Sequence, residues 1–387
     1  MFWVINFITL LYFDQLDSSG LLNFMSVSLF YYSSMNKYKI LFIVFIMFLG
    51  LKNVSAQQVY SSQFYSMPVF LNPALTGNSD YNIRTGVNYR NQWNTVTTPF
   101  VSQAAYIDGK LSFPYLGASW LGVGGVIFND KAGEGGLKTN QLMLTTSFNK
   151  SLNKGNTLFF HGGLGIELVN KSVDYNKLVF DEQWDGTIFN KDWQKGEPLG
   201  RQTLFYVDFS LGGSFTYFRG KTRYFLGMAV SHLNQPNESF YEITNNLKRS
   251  YNYHGGVETK LSSKLYIRPE FMFKSEYLST ELVLGANFIM ATGDKGIVLH
   301  YGVWYRNKED IIPTFGFQKN RFKFLLSYDI DVSALQLTSA SKGGLEISLT
   351  YNYNYSNPRN VKRLERKKKA KKIGDKAISC PKFTNDD

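Results

Sequence analysis

The chain has 387 residues, a net charge of +12, 19% charged residues and 16% aromatic residues. A soluble protein normally carries about a quarter charged residues. The mean hydropathy of −0.21 excludes a bundle of several membrane helices. The single cysteine, Cys380, excludes an intramolecular disulfide. Low charge, abundant aromatic residues and no long apolar run after the N-terminal region are typical of a transmembrane β-barrel, with a secreted β-sandwich as the alternative.

The first segments of the chain are predicted to direct export. Residues 35–39 form a short basic start, residues 40–51 are apolar, and Val54-Ser55-Ala56 provides small residues before a cleavage point. This pattern predicts a secretory signal peptide over 35–56, cleaved before Gln57, because the apolar run is too short for a membrane anchor. We interpret residues 1–34 as a mis-called upstream segment and residues 57–81 as a periplasmic N-terminal segment.

Fourteen segments then alternate apolar and polar residues between turn residues. In residues 321–332, aromatic and aliphatic side chains share one face and charged side chains share the other, because a strand alternates with period two. The longer segments match the roughly 9–11 residues with which a tilted strand crosses a bilayer. The predicted strands are 82–90, 101–109, 117–128, 138–149, 156–169, 202–217, 222–230, 249–260, 263–273, 279–290, 296–306, 311–319, 321–332 and 343–355.

These strands predict an all-β fold, an antiparallel outer-membrane β-barrel over 82–355. Closure is expected because an open sheet edge in hydrocarbon leaves backbone groups without hydrogen-bond partners. The predicted connections are of two lengths: 151–155, 218–221 and 261–262 are short, whereas 130–137, 170–201 and 231–248 are longer. Outer-membrane barrels keep short turns in the periplasm, so we expect the long loops outside and both ends of the barrel chain inside.

The last segment, 356–387, is predicted to be a flexible periplasmic tail. Residues 361–376 contain nine Lys or Arg and two acidic residues, a net charge of +7. Nucleic-acid binding is the usual interpretation of such a run, but an exported chain meets little nucleic acid. A contact with an acidic periplasmic partner, anionic lipid or anionic polymer fits better, and a solvated extension without a partner is the alternative. The contact residues would be Lys362, Arg363, Arg366, Lys367, Lys368, Lys369, Lys371 and Lys372.

The sequence contains no pattern typical of catalysis or of metal binding. Its four histidines have no metal-ligand spacing, and no nucleophile elbow occurs, so we expect no enzyme and no cofactor. The glycines at 122–125 and 162–165 are expected to relieve barrel curvature. Asp181, Glu182 and Asp185 form either a solvated acidic loop or a Ca²⁺ site.

Several charged or titratable side chains are predicted to face the lumen. Both signs are present, so the side chains either pair and plug the interior or line a small pore. These residues are Asp208, Arg268, Glu270, His300, Arg306, Lys323, Asp329 and Asp331.

Motifs along the chain resemble the PorP/SprF family. They include Asn72-Pro73-Ala74-Leu75-Thr76-Gly77, Tyr89-Arg90-Asn91-Gln92-Trp93, Asn129-Asp130-Lys131 and His232-Leu233-Asn234-Gln235-Pro236-Asn237. The resemblance covers about residues 57–355. It implies an outer-membrane barrel of the type IX secretion system, either core machinery or an accessory partner that brings a large secreted adhesin, including gliding adhesins, to the cell surface. It supplies no catalytic residues.

Two of these motifs are predicted to lie in outer loops and to bind the secreted partner. Exposed aromatic, arginine and amide groups suit recognition, whereas an interfacial tryptophan with turn-forming Asn and Pro is the structural alternative. The predicted partner-binding residues are Tyr89, Arg90, Asn91, Gln92, Trp93, His232, Asn234, Gln235 and Asn237. Asn72–Gly77 is interpreted as a turn that closes the periplasmic end.

The leading functional hypothesis is a non-enzymatic interaction protein of the cell outer membrane. Its outer loops would hold a type IX substrate, and its tail would contact periplasmic machinery. The alternative is a passive channel or porin for small solutes.

Overall fold

A computed structural model describes residues 61–92, 98–133, 135–190, 193, 196, 200–293, 296–307, 309–332 and 342–354. The predicted upstream segment, signal peptide, Trp93 and basic tail lie outside the described residues. The strands form one closed antiparallel barrel in which neighbours in the chain pair with each other and β1 pairs with β14. The predicted closed barrel of fourteen strands is therefore confirmed.

The strand bounds lie within a few residues of the predicted ones. They are β1 Ile83–Gln92, β2 Phe100–Leu111, β3 Trp120–Ala132, β4 Leu137–Ser151, β5 Leu158–Ser172, β6 Thr203–Arg219, β7 Thr222–Ser231, β8 Ser250–Lys260, β9 Leu265–Glu276, β10 Ser279–Ala291, β11 Ile297–Arg306, β12 Asp310–Lys319, β13 Phe322–Asp331 and β14 Lys342–Tyr353.

Burial alternates along the strands as the sequence pattern predicts. On the outer wall, Val87, Leu144 and Phe315 are 51%, 58% and 54% exposed, whereas the inward-facing Asp329 is 1% exposed. Hydrocarbon tolerates this apolar wall, and the closed ladder pairs the backbone groups that lipid cannot bind. Among the described residues, no helix has the length and apolar character needed to span a bilayer.

The two ends of the barrel differ in the length of their connections. Ile83 pairs with Tyr353, so the chain enters and leaves the barrel at one end, which we name the short-turn end. The turns there include the two-residue connections 220–221 and 320–321. The opposite, long-loop end carries 173–202 and 232–249. The prediction of a longer loop at 130–137 is wrong, because β3 and β4 extend until only 133–136 connects them.

Residues 61–77, named the plug here, lie inside the barrel. They form three short helical pieces, Phe64–Ser66, Pro68–Leu71 and Pro73–Leu75. The plug starts beside Asp329 near the long-loop end and finishes beside Asp108 near the short-turn end. The prediction that residues 57–81 are a periplasmic segment is wrong for residues 61–77, which lie in the lumen. They are held there because their polar groups bond to inward-facing side chains of the barrel.

The plug is shaped by its own sequence. Pro68 and Pro73 begin helical pieces, where the missing N–H costs no hydrogen bond. The Asn72 side chain caps the second of these by accepting from the Ala74 N–H at 2.8 Å. The same side chain donates to the carbonyls of Gly213 and Met228, both at 3.2 Å. One asparagine thus caps the start of a helical piece and attaches it to β6 and β7.

Glycines in the barrel wall make room for the plug backbone. A Cβ at Gly163 would lie 2.4 Å from the Ala74 nitrogen, and one at Gly122 would lie 2.2 Å from the Thr76 carbonyl oxygen. A Cβ at Gly212 would overlap the Asn72 side chain. The glycines at 122 and 163 therefore have a role that the sequence did not indicate, because side chains there would collide with the plug; a role in curvature remains a prediction.

Apolar packing holds the two faces of the plug. Phe64 and Leu71 pack with Met272, Val283, Trp304 and Ile312, whereas Met67 and Val69 pack with Ala104, Tyr106, Val126 and Met143. The Tyr65 and Trp304 rings stack with centroids 4.7 Å apart. The lumen therefore has a packed core of its own, in addition to its polar contacts.

We predict that Gly163→Ala destabilises the barrel, because the new Cβ would overlap the plug at Pro73 and Ala74. Overpacking of this kind costs about 1–3 kcal/mol. The measurement is the free energy of unfolding in denaturant for the chain folded into liposomes. Gly213→Ala is the matched control, since Gly213 lies on the neighbouring strand and a Cβ there meets only Phe160, at 4.0 Å. Equal stability of both variants would contradict the contact.

Candidate functional site: a plugged lumen and the long-loop end

Near the long-loop end, the lumen contains a cluster of buried charges. One Asp329 carboxylate oxygen lies 2.8 Å from the Arg90 Nη2 and accepts from the Ser62 hydroxyl at 2.7 Å. The Arg306 guanidinium lies 3.4 Å from the same oxygen. Arg90, Arg306 and Asp329 are all at most 4% exposed. The predicted pairing of lumen charges is therefore present, and a plug hydroxyl takes part in it.

Arg306 links its own strand, β11, to β10, β12 and β13 and to the plug. Its guanidinium lies 3.1 Å from Glu281 on β10 and 2.6 Å from Asp310 on β12. It also donates to the Ser62 hydroxyl at 2.8 Å. Removing one partner of such a buried pair typically costs about 3–5 kcal/mol, since a charge is left without compensation. This network fixes where the first residues of the plug lie.

Glu346 on β14 binds the backbone of the plug. Its carboxylate accepts from the backbone N–H of Ser62 at 2.7 Å and of Gln63 at 3.2 Å, and from the Asn88 amide at 2.7 Å. The Ser61 hydroxyl donates to the same carboxylate. The side chain is fully buried, so these hydrogen bonds replace the water that a carboxylate requires. The plug therefore stabilises an acid of the wall.

Between the plug and the wall near the short-turn end is a cavity of about 650 Å³. Arg223, Arg268 and Lys323 face it together with Glu258 and Glu270. Glu258 lies 3.2 Å from Arg223 and 3.7 Å from Arg268. The predicted lumen residue His300 also lines this cavity. The space has the size of a small-molecule site, but the plug forms one of its walls.

The first group of predicted partner-binding residues lies in β1, not in an outer loop. Tyr89 is 37% exposed on the outer wall, and Arg90 is 3% exposed and bonded to Asp329. Asn91 and Gln92 are the last residues of the strand. The predicted loop position is therefore wrong for 89–92, because β1 extends to Gln92. Recognition of a partner by these residues remains a prediction.

The second group lies in the loop 232–249, as predicted, and makes contacts within the protein. His232 has a φ of 59°, and its Nδ1 lies 2.5 Å from the Asp208 carboxylate. The Asn234 amide donates to the Val207 carbonyl at 2.7 Å. Gln235 has a φ of 48°, and the Asn237 side chain accepts from the Ser239 and Asn245 amides. These residues shape and attach the loop.

The long loop 173–202 presents exposed apolar side chains that the sequence motifs did not indicate. Trp184 and Phe189 form an isolated bridge, and their ring centroids are 4.8 Å apart. Ile188 is 62% exposed, and Trp184, Phe189 and Trp193 are each 46–47% exposed. The sequence motifs give no signal for this surface, and its exposure in the structure is what marks it, because exposed apolar patches often form interaction sites.

One acidic residue of this loop, Asp185, organises a turn. The Asp185 carboxylate accepts from the backbone N–H groups of Thr187 and Ile188, both at 2.8 Å. These hydrogen bonds lower the pKa of Asp185. No group of three or more His, Cys, Asp or Glu suitable for a metal occurs in the described part of the chain.

The sequence that forms this plugged barrel matches one protein-family model. The model, described as type IX secretion system membrane protein PorP/SprF, matches residues 53–351. The chain belongs to the PorP/SprF family. This membership and the lipid-facing barrel place the protein in the outer membrane. No curated protein sequence matches the chain.

Solved structures similar to this PorP/SprF member include a transporter, a channel and a translocator domain. The Ralstonia pickettii toluene transporter TbuX has a TM-score of 0.44 and 11% identity, covering 75% of this chain and 94% of its own. The CymD monoaromatic hydrocarbon channel has a TM-score of 0.44 and 12% identity, covering 75% and 93%. The translocator domain of the autotransporter NalP from Neisseria meningitidis has a TM-score of 0.37 and 11% identity, covering 70% and 88%.

We predict that protection of the loop 232–249 depends on pH through His232. Burial alone would lower the pKa of His232, but the hydrogen bond and charge of Asp208 raise it above its ordinary value. The charged ring therefore stabilises the folded loop fully below the unfolded pKa of about 6.5, and this contribution is lost as pH rises through the raised folded pKa.

The measurement is the hydrogen-exchange protection factor of the loop amides as a function of pH, which corrects for the intrinsic exchange rate. His232→Gln is the control, because glutamine does not titrate and its protection should not change over this range. The same pH profile in both proteins would contradict the assignment.

Proposed function

We propose that this protein is a non-enzymatic component of type IX secretion that helps export or anchor a large secreted surface protein, such as an adhesin. Membership of the PorP/SprF family supports a role in this secretion system. The observation that carries the finer proposal is the exposed apolar surface of the loop 173–202, formed by Trp184, Ile188, Phe189 and Trp193.

The geometry of this loop suits protein recognition. Trp184 and Phe189 are held next to each other by a turn, so they present a preformed apolar surface with little conformational entropy to lose. Tryptophan is among the residues that contribute most to protein interfaces. The plug occupies the lumen, and the outer wall of the barrel faces lipid. A large polypeptide partner can therefore contact the protein at the two ends of the barrel.

A passive channel for small solutes is the second candidate, and the cavity of about 650 Å³ favours it. Against it, Val69, Asn72, Ala74 and Thr76 of the plug have no exposed surface, so these residues pack against the wall without a water layer. A porin opens stably in planar bilayers without a partner protein. The closed barrel proposed here conducts only after deletion of residues 61–77.

We predict that the double variant Trp184→Ser, Phe189→Ser loses its secreted partner. Loss of an interface hot spot costs at least about 2 kcal/mol, roughly a 30-fold loss of affinity. The measurement is the amount of large secreted protein that co-purifies with the tagged barrel from its native cells, together with the same protein's abundance on the cell surface.

The matched control is Tyr115→Ser, since Tyr115 is 79% exposed at the short-turn end. The control should retain the co-purified protein. If the double variant also retains it, and the surface proteome of a strain lacking the barrel is unchanged, the proposed function is wrong.

A role of the basic tail in contacting periplasmic type IX machinery is proposed from its charge alone. We predict that deleting residues 361–387 leaves the barrel folded but reduces co-purification of periplasmic components and surface display of the secreted protein. A charge-reversed tail, with the eight basic contact residues changed to Glu, should behave like the deletion. Unchanged display and unchanged partners in both variants would exclude this role.

A further inference from the structure

The barrel wall has a seam between β8 and β9. Gly256 pairs with Glu270 and Thr259 pairs with Ile267, but the two intervening residue pairs are not bonded. Pro269 lies in this gap and has no N–H to donate to β8. On its other side, Pro269 keeps its pairing with Ala286 of β10. The ladder is therefore interrupted on one side of β9 only, in the half of the barrel nearer the short turns.

A groove of about 570 Å³ lies over this seam on the lipid-facing wall. Gly256 and Gly285 contribute backbone to its lining, and a Cβ at either glycine would point away from the groove, 2.7 Å from the Phe225 ring or from the Trp304 ring. Glu270 reaches the groove from the lumen side, and its carboxylate lies 3.1 Å from the Arg268 guanidinium, which offsets its charge. The apolar side chains that form the sides are Phe215, Tyr217, Tyr224, Leu226, Val257 and Leu284.

The two turns next to the groove are basic. Arg219 and Lys221 flank the turn between β6 and β7, and Lys260 and Lys264 flank the turn between β8 and β9. Residues 218–222 and 260–264 contain no acid. None of these four basic residues makes an ion pair with another residue in the described ranges. The Lys260 ammonium lies 5.5 Å from the centre of the Tyr266 ring, which lines the lumen cavity, so Arg219, Lys221 and Lys264 are the basic side chains exposed at these turns. Val257 is three residues from Lys260, which is about 10 Å along a strand at about 3.3 Å per residue.

We propose that the groove and these two turns together bind one anionic phospholipid. Its acyl chain lies in the groove, and its phosphate lies among Arg219, Lys221 and Lys264. The groove opens on the hydrocarbon side of a membrane-spanning wall, where an acyl chain is the apolar group that meets it. The basic turns select a negatively charged headgroup at the depth where the hydrocarbon ends. This site is independent of the loop 173–202.

The test is native mass spectrometry of the purified full-length barrel, equilibrated in detergent with phosphatidylglycerol or with phosphatidylcholine of the same acyl chains. We expect one phosphatidylglycerol to be retained in preference to phosphatidylcholine. The double variant Lys221→Gln, Lys264→Gln should lose about fivefold in phosphatidylglycerol affinity per lysine, because each basic residue near the surface contributes about 1 kcal/mol. Its phosphatidylcholine affinity should not change.

The second arm fills the groove with Val257→Phe, which should reduce retention of both lipids. Val123→Phe is the control, since Val123 is also three residues from the short-turn end of its strand and is exposed on the opposite part of the wall. Lys154→Gln, Lys319→Gln is the control for the charge change, because both residues lie in or next to other short turns. The site is supported if the control variants retain lipid like the native chain while the test variants retain less.

Three results would overturn the proposal. One is equal retention of the two lipids by the native chain. Another is an equal loss in the lysine test and lysine control variants, which would indicate general attraction to a basic rim. The third is full lipid retention by Val257→Phe in a barrel that remains folded.

Discussion

The structure depends on the absence of water from the hydrocarbon core of the membrane. Lipid accepts only the apolar face of each strand, so the polar face turns inward, and the closed ladder satisfies the backbone. Inward-facing carboxylates and guanidiniums then need partners, because leaving a buried charge without compensation is costly. The plug supplies these partners. Its Ser62 and Gln63 amides bind Glu346, and its Ser62 hydroxyl joins Asp329 to Arg306.

The buried charges are compensated differently in the two halves of the lumen. Near the long-loop end acids are in excess, and plug N–H and O–H groups compensate for the shortage of arginines. Near the short-turn end Arg223, Arg268 and Lys323 surround a cavity in which Glu258 serves two arginines. The plug is bonded to the wall at both ends, through Ser62 and Gln63 near the long loops and through Thr76 and Gly77 near the short turns. The loop 232–249, which belongs to the long-loop end, is attached to the wall through His232 and Asp208.

The strands were predictable from the sequence because solvent imposes the alternation on every one of them. The plug was not, because Asn72-Pro73-Ala74 reads as an ordinary turn and nothing in residues 61–77 alternates. The wall glycines indicated the plug only ambiguously. A glycine such as Gly163 is compatible with barrel curvature and also with a close approach of another backbone, and only the structure shows that Pro73 and Ala74 lie against it.

Among the candidate site residues, Arg90 was predictable but was placed wrongly. It is two residues from the inward-facing Asn88, so a continued strand puts it in the lumen, and treating 89–93 as a loop obscured this. The motif 232–237 was placed in the correct loop, but its positive φ angles and side-chain contacts come from tertiary structure. The aromatic residues of 173–202 belong to no motif, and only their exposure distinguishes them.

The position of the plug inside the lumen is tested most directly by a disulfide between the plug and the wall. The Thr76 and Thr145 hydroxyls are 2.9 Å apart, so Thr76→Cys, Thr145→Cys in a chain carrying Cys380→Ser should cross-link in native membranes under mild oxidation. Thr222→Cys, Thr259→Cys, whose hydroxyls are 2.8 Å apart on paired strands, is the positive control. If the plug occupies the lumen, peptide mapping finds both disulfides. A cross-linked control with reduced cysteines at 76 and 145 would show that the plug does not occupy the lumen.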